Sequence, residues 1–459
     1  MERTPTFFAG AAQFDITPPL GTIIGVDFLP HYARFVHDPL YVKAVVLQEG
    51  VTTMAIVVVD ICIMETNYMD AIKADIHRQT GIEPGHILLS SNHNHASGAV
   101  VGLLGGAADL TYRTRLAPQI VEAVVTANSR LRPAKMATGS VDAPEFVVCR
   151  RYQMQPDYVA HNPVTRQPDL VKTNPFGGAH QIVGPVAVPD PELCFLALKG
   201  TDDTWISLLA NYSLHYAADW PDDSITGDYF GRFASYLSQK LPDSEGFVGI
   251  MSNGTSGDVN IWDFLHPDRL PTEHYAKSEL IGTSLAQRVM EVLPGLNWSE
   301  NPTIGVVCDD VVVAVRKPSE AELAVATQAF IDNDFDNLSL KKEVTQRIYD
   351  REQVLLSQYP NHLTLTVQAV RIGGLLIGAL PGEFFAETGL RLKKEFAPGP
   401  YFSICLANSY GGYIPPAHEL DRGGYETWRA RSSCMERDAE AMIRAKLVEL
   451  THQLNHLPC

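Results

Sequence analysis

Apolar residues along the chain fall into short β-branched runs and longer segments with helical spacing. The short runs are bounded by Gly, Pro, Asp or Asn, which is typical of buried strands. They predict strands at Tyr41–Gln48, Met54–Ile61, His86–Ser91, Cys194–Lys199, Trp205–Tyr212, Phe247–Met251, Ile304–Val315, Leu363–Ile372, Leu375–Leu380 and Phe402–Ala407. The longer segments predict helices at Asn67–Thr80, Tyr112–Leu131, Tyr229–Leu241, His274–Val292, Ser319–Asp332, Lys341–Tyr359, Glu383–Phe396 and Met435–Gln453. Because the two kinds of element alternate, the pattern favours an α/β fold whose mixed β-sheet core lies in layers covered by helices.

One proline-rich stretch, Tyr152–Glu192, has few periodic apolar positions and predicts a long ordered loop. Such a loop forms either a lid or wall of a binding site or a plain surface excursion, and the sequence leaves both open. No internal repeat or linker marks a boundary elsewhere, so we predict a single domain over residues 1–459.

The composition is that of a globular chain, because 45% of the residues are hydrophobic and only 19% are charged. The net charge is -17, and no run of Lys or Arg forms the basic stripe that binds phosphates. These features exclude nucleic acid as a partner and disfavour a strongly anionic substrate. No stretch approaches the roughly 20 apolar residues of a membrane span, so no span is expected.

The cysteines indicate a reducing compartment. There are seven of them, an odd number, scattered along the chain without a Cys-x-x-Cys pair. The N-terminal stretch Met1–Pro19 lacks the uninterrupted apolar core of a signal peptide. We therefore predict a cytoplasmic protein.

Polar residues interrupt the ends of predicted strands at four places, and the first holds two histidines. His93 and His95 follow the strand His86–Ser91 and are two residues apart, so they face the same side if the chain stays extended. Imidazole is the commonest metal ligand at neutral pH. The pair therefore predicts either a metal site or two hydrogen-bonding loop histidines.

The other three places hold one or two candidate residues each. His215 follows the strand Trp205–Tyr212, at the carboxyl end where α/β sheets bind ligands. Glu383 follows a Pro-Gly break and opens a predicted helix, where the helix dipole by itself favours an acid. Tyr413 and Tyr425 lie beside glycines and are read either as site residues or as packing residues.

Four acidic residues follow His215 and offer a second, oxygen-based metal site for Ca²⁺ or Mg²⁺. The alternative is a solvated acidic loop, which the spacing favours. The four residues are Asp219, Asp222, Asp223 and Asp228.

Six segments resemble, in order, the catalytic domain of the neutral ceramidase family, the neutral/alkaline non-lysosomal ceramidases. The likeness extends from Ala9 to about residue 430. The segments are Ala9–Pro19, Asn92–Gly98, Asn211–His215, Gly257–Asn260, Leu380–Glu383 and Asn408–Pro416. The resemblance implies the fold of that catalytic domain and one zinc ion per chain.

The resemblance also implies the residues of the site. The zinc ligands become His93, His215, Glu383 and Tyr413, and the second histidine of the first motif becomes His95. The family's active-site arginine falls on Arg150. Tyr425 lies twelve residues after Tyr413, as in the family, which supports Tyr413 rather than Tyr410 as the ligand.

Three departures from the family limit which of the family's properties are expected in this chain. We expect neither the family's C-terminal immunoglobulin-like domain nor the signal peptide of its secreted members in this protein. The family's loop serine falls on Gly254, so the natural substrate is expected to differ from ceramide. Ser252, Thr255 and Ser256 are the candidates for a replacement hydroxyl.

The function expected from these residues is hydrolysis of an amide bond in an N-acyl, small or lipid-like compound by zinc-activated water. His95 would act as general acid and base, and Tyr425 and Arg150 would stabilise the oxyanion. Asp258 would either orient a catalytic group or hold a turn. The alternatives are an ester or lactone hydrolase, an amide- or lactam-forming enzyme on the same site, and a non-catalytic metal-binding protein. No Gly-x-Ser-x-Gly motif supports a serine hydrolase.

Overall fold

The computed structural model describes residues 6–26, 28–331 and 344–454. The predicted helix end at Asp332 and the predicted helix start at Lys341 lie outside these ranges, as does Cys459.

Twelve strands of the described chain form two sheets. They are β1 (Phe7–Asp15), β2 (Tyr41–Glu49), β3 (Thr52–Val59), β4 (Ile87–Ser91), β5 (Arg132–Asp142), β6 (Glu192–Gly200), β7 (Trp205–Tyr212), β8 (Val248–Asn253), β9 (Ile304–Ala314), β10 (His362–Ile372), β11 (Leu375–Ala379) and β12 (Tyr401–Ile404). The predicted strands all correspond to members of this set, with ends displaced by a few residues.

The larger sheet has eight strands in the order β8-β7-β6-β5-β1-β2-β3-β4. Its two outermost pairs, β7 with β8 and β3 with β4, are parallel, and the inner pairs are antiparallel. The sheet is strongly curled, since β8 also contacts β3 and β4 from the opposite end of the strand order. The curl brings the carboxyl ends of β4, β7 and β8 to one side of the molecule.

The smaller sheet has the order β9-β10-β11-β12, with β11 and β12 parallel. One face of each sheet packs against the other. Leu47, Ile56 and Leu196 of the larger sheet meet Val370 and Ile377 of the smaller one in a common apolar core. This burial is the main force that holds the sheets together, at about 25 cal/mol for each Å² of apolar surface removed from water.

The described chain forms helices, most of which cover the outer faces of the two sheets. They are α1 (Thr66–Thr80), α2 (Leu110–Ser129), α3 (Asp228–Lys240), α4 (Ala276–Val292), α5 (Glu320–Ile331), α6 (Val344–Ser357), α7 (Ala386–Phe396), α8 (Ala417–Arg422) and α9 (Ala439–Leu454). Apolar residues of α1 and α2 pack on one half of the larger sheet, and those of α3 and α4 pack on the other half. Residues of α7 and α9 cover the smaller sheet. The predicted α/β fold, with a mixed sheet core in layers covered by helices, is confirmed; the single domain stays a prediction.

Short two-residue to four-residue strands tie the loops around the site. The pairs are Ile23–Ile24 with His31–Tyr32, Phe35–Val36 with Ser224–Ile225, Val148–Cys149 with Val259–Asn260, Ala160–His161 with Pro168–Asp169, and Glu383–Phe384 with Tyr413–Ile414. A three-stranded sheet places Arg151–Met154 between Val171–Thr173 and Ile182–Pro185. The predicted loop Tyr152–Glu192 is therefore ordered by small sheets of its own.

Two features differ from the sequence prediction. Strands β1 and β5 were not predicted, because β1 is rich in Ala and Gly, which have low strand propensity, and β5 mixes polar with small residues. The prediction that Glu383 opens a helix is wrong, since Glu383 lies in a short strand paired with Tyr413 and α7 begins only at Ala386. The helix dipole therefore does not account for this acid. No helix in the described part of the chain is long and apolar enough to cross a membrane.

Candidate metal centre and its cavity

Three strand exits deliver the central residues of the site. His93 lies two residues beyond β4, His215 three beyond β7, and Glu383 four beyond β11. The two histidines belong to opposite ends of the larger sheet's strand order, and the curl of that sheet brings them together. Glu383 arrives from the smaller sheet, so the site lies where the carboxyl ends of strands from both sheets meet.

The backbone turns sharply at the first histidine. His93 has a φ of 72°, in the left-handed region that non-glycine residues seldom occupy. The expectation that an extended chain places His93 and His95 on one side is therefore wrong in its geometry. The turn nevertheless brings the two rings together, with 3.3 Å between their Nε2 atoms. Such a strained conformation persists only where the surroundings fix it, and here the amide of His93 donates to the carbonyl of Ile61.

The nitrogen and oxygen atoms of three buried residues converge on one point. His93 Nε2 lies 2.8 Å from His215 Nε2 and 3.2 Å from Glu383 Oε2, and His215 Nε2 lies 3.8 Å from the same oxygen. All three side chains are at most 5% exposed. Glu383 Oε2 is buried and makes no hydrogen bond. An unsatisfied buried carboxylate oxygen is costly unless a cation or donor meets it.

Backbone carbonyls fix the orientation of both rings. His93 Nδ1 lies 3.1 Å from the carbonyl oxygen of Cys62, and His215 Nδ1 lies 3.1 Å from that of Ser256. A carbonyl oxygen only accepts, so each Nδ1 carries the proton when the ring is neutral. Each Nε2 then presents a lone pair to the common point. Two lone pairs 2.8 Å apart repel unless a positive charge lies between them.

The electrostatics of the three residues favour a positive charge. Burial alone lowers the pKa of His93, but Cys62 and Glu383 outweigh it and raise that pKa well above its ordinary value. Burial, together with the charges of His93 and Arg150, lowers the pKa of His215 well below its ordinary value. His215 is therefore held neutral, which is the state that binds a metal ion.

A second group of possible metal donors shares His93. Two groups are found among the described residues, and the other one combines Cys62, His93 and His95. In that group the thiol of Cys62 lies 3.6 Å from His93 Nδ1, the atom already turned towards a carbonyl. The group of His93, His215 and Glu383 uses the free Nε2 atoms and is the better fit. Cys62 was not among the residues predicted from the sequence, since a lone cysteine between apolar residues gives no signal.

Two tyrosines lie next to Glu383. The hydroxyl of Tyr413, the predicted fourth ligand, accepts a hydrogen bond of 3.1 Å from Arg150 Nη2. The hydroxyl of Tyr410 donates to Glu383 Oε1 over 3.4 Å. Burial and the neighbouring Glu383 raise the pKa of both phenols well above the ordinary value. Tyr413 is paired with Glu383 in a short parallel sheet, which fixes its position beside the metal donors.

Arg150 is fixed by a buried network of opposite charges. Its Nε donates to Glu426 Oε1 over 2.7 Å, and its Nη2 donates to the carbonyl of Gly257 over 2.7 Å. Arg151 and Thr173 donate to the other oxygen of Glu426, each over 2.7 Å. Burial raises the pKa of Glu426, but the two arginines outweigh it and hold the pKa below its ordinary value. The prediction from sequence missed Glu426 and Arg151, although each is adjacent to a predicted site residue.

A cavity of about 1030 Å³ opens beside these residues. Its walls include His95, Arg150, His215, Tyr413 and Tyr425, so the predicted catalytic residues other than Asp258 line one space. Residues between Val159 and Phe176 form another large part of its lining. The loop Tyr152–Glu192 is thus a wall of the cavity rather than a surface excursion. Burial and the charges of His93 and Arg150 lower the pKa of His95 well below its ordinary value.

Asp258 is fully buried but lies outside the cavity wall. Its Oδ1 accepts a hydrogen bond of 2.8 Å from the amide of Ala386, the first residue of α7. Its carbonyl accepts a hydrogen bond of 2.9 Å from the amide of Arg150. Of the two roles predicted for Asp258, the contacts support holding backbone segments in place. It positions the segment after Glu383 and does not touch the cavity.

The three hydroxyl residues near Gly254 do not line the cavity. Ser252 donates to the carbonyl of Ala210, and Thr255 packs against Gly389 of α7. A side chain at position 254 would meet Ser213 Oγ at 2.4 Å, so this chain has filled that space with Ser213. The structure therefore assigns none of Ser252, Thr255 and Ser256 to the place expected for the family's loop serine.

The four acidic residues after His215 do not form a second metal site in the described chain. Asp219 and Asp228 are buried, which corrects the expectation of a solvated loop for these two. Asp219 accepts from the amide of Ser278, and Asp228 accepts from that of Ala217. Asp222 and Asp223 are exposed.

Comparison with known proteins identifies solved structures that share this architecture. No protein-family model matches the chain, and no curated protein matches it in sequence. Among solved structures, neutral ceramidase from Pseudomonas aeruginosa superposes with a TM-score of 0.73 at 15% identity, over 100% of this chain and 76% of that one. The chain has the neutral ceramidase fold. A ceramidase complexed with C2 matches it with a TM-score of 0.69 at 14% identity, over 99% of this chain and 76% of that chain.

The likeness to neutral ceramidase concerns the fold. At 15% identity the two chains share an arrangement of strands and helices while most side chains differ. The chemistry of this chain must therefore be argued from its own residues.

Proposed function

We propose that the chain is a zinc-dependent hydrolase that cleaves the C–N bond of an N-acyl compound. One observation carries the proposal, namely the convergence of His93 Nε2, His215 Nε2 and the unsatisfied Glu383 Oε2 on one buried point. Two imidazole nitrogens and a carboxylate oxygen suit zinc and leave room for further ligands. Tyr413 is proposed as the fourth protein ligand, because it is paired with Glu383 and lines the cavity.

Zinc held there would lower the pKa of a coordinated water to about 7 and polarise a substrate carbonyl. The chain's own residues supply the rest. His95 is neutral at pH 7 because its pKa is lowered, so its ring can take a proton from the nucleophile and return it to the leaving nitrogen. Arg150 is held by Glu426 and Gly257 and lines the cavity, where it can stabilise a developing oxyanion together with Tyr425.

An ester or lactone hydrolase, or an enzyme that forms an amide or lactam, would use the same residues. The fold likeness to neutral ceramidase favours the amide. The natural substrate is proposed to be a small or lipid-like amide other than ceramide, because Gly254 and Ser213 occupy the place of the family's loop serine. No disulfide joins two of the six described cysteines, which supports the cytoplasm as the proposed location.

The first test is metal content, measured by elemental mass spectrometry on wild-type protein, His93→Ala and Glu383→Ala prepared in parallel. About one zinc per chain in the wild type, lost in both variants, supports the ligand set. His452→Ala, on the exposed face of α9, is the control and keeps its zinc. Wild-type protein without metal after zinc reconstitution rejects the proposal. Rates on matched N-acyl amides and esters then distinguish amide from ester hydrolysis.

A further inference from the structure

A second, smaller cavity adjoins the large one at His95. It has a volume of about 230 Å³, and its walls include His95, Tyr216 and Trp262, which also line the large cavity. His95 therefore lies at the junction of two spaces of very different size. In the proposed reaction this residue exchanges a proton with the leaving nitrogen, so the scissile bond lies at the same junction.

The walls of the small cavity are aromatic. The ring of Tyr216 lies 4.4 Å from that of His95, 5.8 Å from that of Trp220 and 6.4 Å from that of Trp262, measured between centroids. The rings are tilted or edge-on to one another and not stacked, so they do not cover one another's faces. Faces of Trp and Tyr attract cations with about 0.5 to 2 kcal/mol per contact.

A single carboxylate completes the wall. Asp222 is exposed at the cavity and makes no hydrogen bond or ion pair with any residue that the structure describes. The part of the wall formed by described residues contains no Lys or Arg. The chain's net charge of -17 adds a negative field around it. His31 and His95 are the other titratable groups of this wall. Aromatic rings with one carboxylate, and without Lys or Arg among the described wall residues, suit an ammonium group.

The two cavities differ in the half of the substrate that they suit. Arg150 and Tyr425, the proposed oxyanion donors, line only the large cavity, which therefore takes the acyl half with its carbonyl. The small cavity, with its anionic and aromatic wall, remains for the amine half. At about 30 Å³ for each water-sized group, 230 Å³ holds an amine of about eight non-hydrogen atoms.

We propose that the small cavity is the subsite of the leaving amine. The uncharged amine half of the amide occupies it before hydrolysis, and once the C–N bond has broken and the nitrogen has been protonated, Asp222, Trp220 and Trp262 hold the released small primary amine as its ammonium ion. The inference rests on the proposed function for its place in the reaction, but ammonium binding itself does not depend on turnover. It identifies the substrate class as N-acyl derivatives of small amines. The chain of a long-chain amine would extend beyond the small cavity, so most of its apolar surface would stay in water.

Binding is tested without catalysis by titrating the protein with propylammonium and with its neutral counterpart propanol, using tryptophan fluorescence. Trp220 and Trp262 both line the small cavity and report occupancy. Wild-type protein is expected to bind propylammonium about tenfold more tightly than propanol. Asp222→Asn and Trp220→Leu lose that preference. Asp223→Asn keeps it, because Asp223 is an exposed neighbour that does not line the cavity.

Equal affinity for the two ligands, no binding of either, or a preference that survives Asp222→Asn would overturn the proposal. Hydrolysis of octanoyl amides of ethanolamine and of dodecylamine is measured alongside. A lower KM for the ethanolamide supports the size limit, and a lower KM for the dodecylamide contradicts it. Selective ammonium binding in a protein without hydrolase activity would reject the proposed function and leave the ammonium site standing. Hydrolysis without selective ammonium binding would reject the ammonium site and leave the proposed function standing.

Discussion

Two backbone carbonyl groups decide what the paired histidines can bind. The carbonyls of Cys62 and Ser256 each face a histidine Nδ1, so the two Nε2 atoms are directed at Glu383. Because these acceptors belong to the backbone, changes in the side chains at positions 62 and 256 do not remove them. The orientation of the metal donors is therefore a property of the strand exits as well as of the ligands themselves.

A matched pair of variants tests whether Tyr413 or Tyr410 is the fourth zinc ligand. Tyr413→Phe is expected to weaken zinc binding about tenfold or more, because it removes an oxygen donor paired with Glu383. Tyr410→Phe removes a hydrogen bond to Glu383 Oε1 and leaves the proposed zinc donors intact. The zinc affinity of this variant should therefore change much less. Competition with a chelator of known zinc affinity measures both.

Circular dichroism on both variants is the control for folding, since both tyrosines are largely buried. Stronger loss of zinc in Tyr410→Phe than in Tyr413→Phe would assign the ligand to Tyr410. The twelve-residue spacing to Tyr425 would then be without significance.

At the scale of elements, the start of α7 determines where Glu383 lies. The strand Glu383–Phe384 and the first turn of α7 are tied to the Gly257–Asp258 segment by two hydrogen bonds. The amide of Gly257 donates to the carbonyl of Phe384, and the amide of Ala386 donates to Asp258. Arg150 is joined to the same segment through its backbone amide and its guanidinium. One buried segment thus sets the positions of a proposed metal ligand, Glu383, and a proposed oxyanion donor, Arg150, together.

The pKa of Asp258 leads to a prediction about stability. Burial raises this pKa from 3.8 to about 6. Between these two values the folded chain binds a proton that the unfolded chain has released, so folding is favoured at the acid end and loses this contribution as pH rises. The free energy of unfolding of the wild type should fall, relative to Asp258→Asn, by about 3 kcal/mol as pH rises through that window.

Urea denaturation at a series of pH values measures this difference. Asp268→Asn, an exposed acid in the following loop, is the control and should follow the wild type at every pH. A difference between wild type and Asp258→Asn that does not change with pH would show that Asp258 has an ordinary pKa in the folded chain.

For the whole molecule, the proposed metal site acts as a cross-link between its sheets. His93 and His215 belong to opposite ends of one sheet, and Glu383 comes from the other sheet. In the metal-free chain the buried Glu383 Oε2 lacks a hydrogen bond, which is unfavourable. Metal binding would remove this penalty and connect elements that are distant in sequence.

Stability should therefore depend on zinc. At free zinc one hundred times its Kd, the wild type is expected to gain about 2.7 kcal/mol over the chelated protein. The gain should vanish in His93→Ala, which loses one donor, and persist in His452→Ala, whose imidazole lies on the exposed side of α9. Thermal unfolding with and without chelator measures this gain in stability. The same midpoint for wild-type protein under both conditions would exclude a structural contribution of zinc.

Much of the fold and part of the site were predictable from local sequence. The strands of the sheets that contain apolar runs were found, whereas β1 and β5 were not, because their pairing partners and not their own residues make them strands. Among site residues, His93, His215 and Glu383 follow apolar runs and could be singled out. Glu426 and Cys62 could not, since a buried acid and a buried thiol look like any others until their partners are known.

The sequence by itself determined the layered α/β class, the strand exits that carry the histidines and the glutamate, and the order of segments that resembles neutral ceramidase. Periodicity and turn residues act over a few positions, so this information is local. Only the tertiary structure decided that the larger sheet curls, that His93 turns through a left-handed conformation and that Arg150 is held by Glu426. It also decided that His95 stands between two cavities. The turn at His93 depends on a contact with Ile61 in another strand exit, and the other features depend on contacts between residues more than a hundred positions apart. No local pattern specifies such contacts.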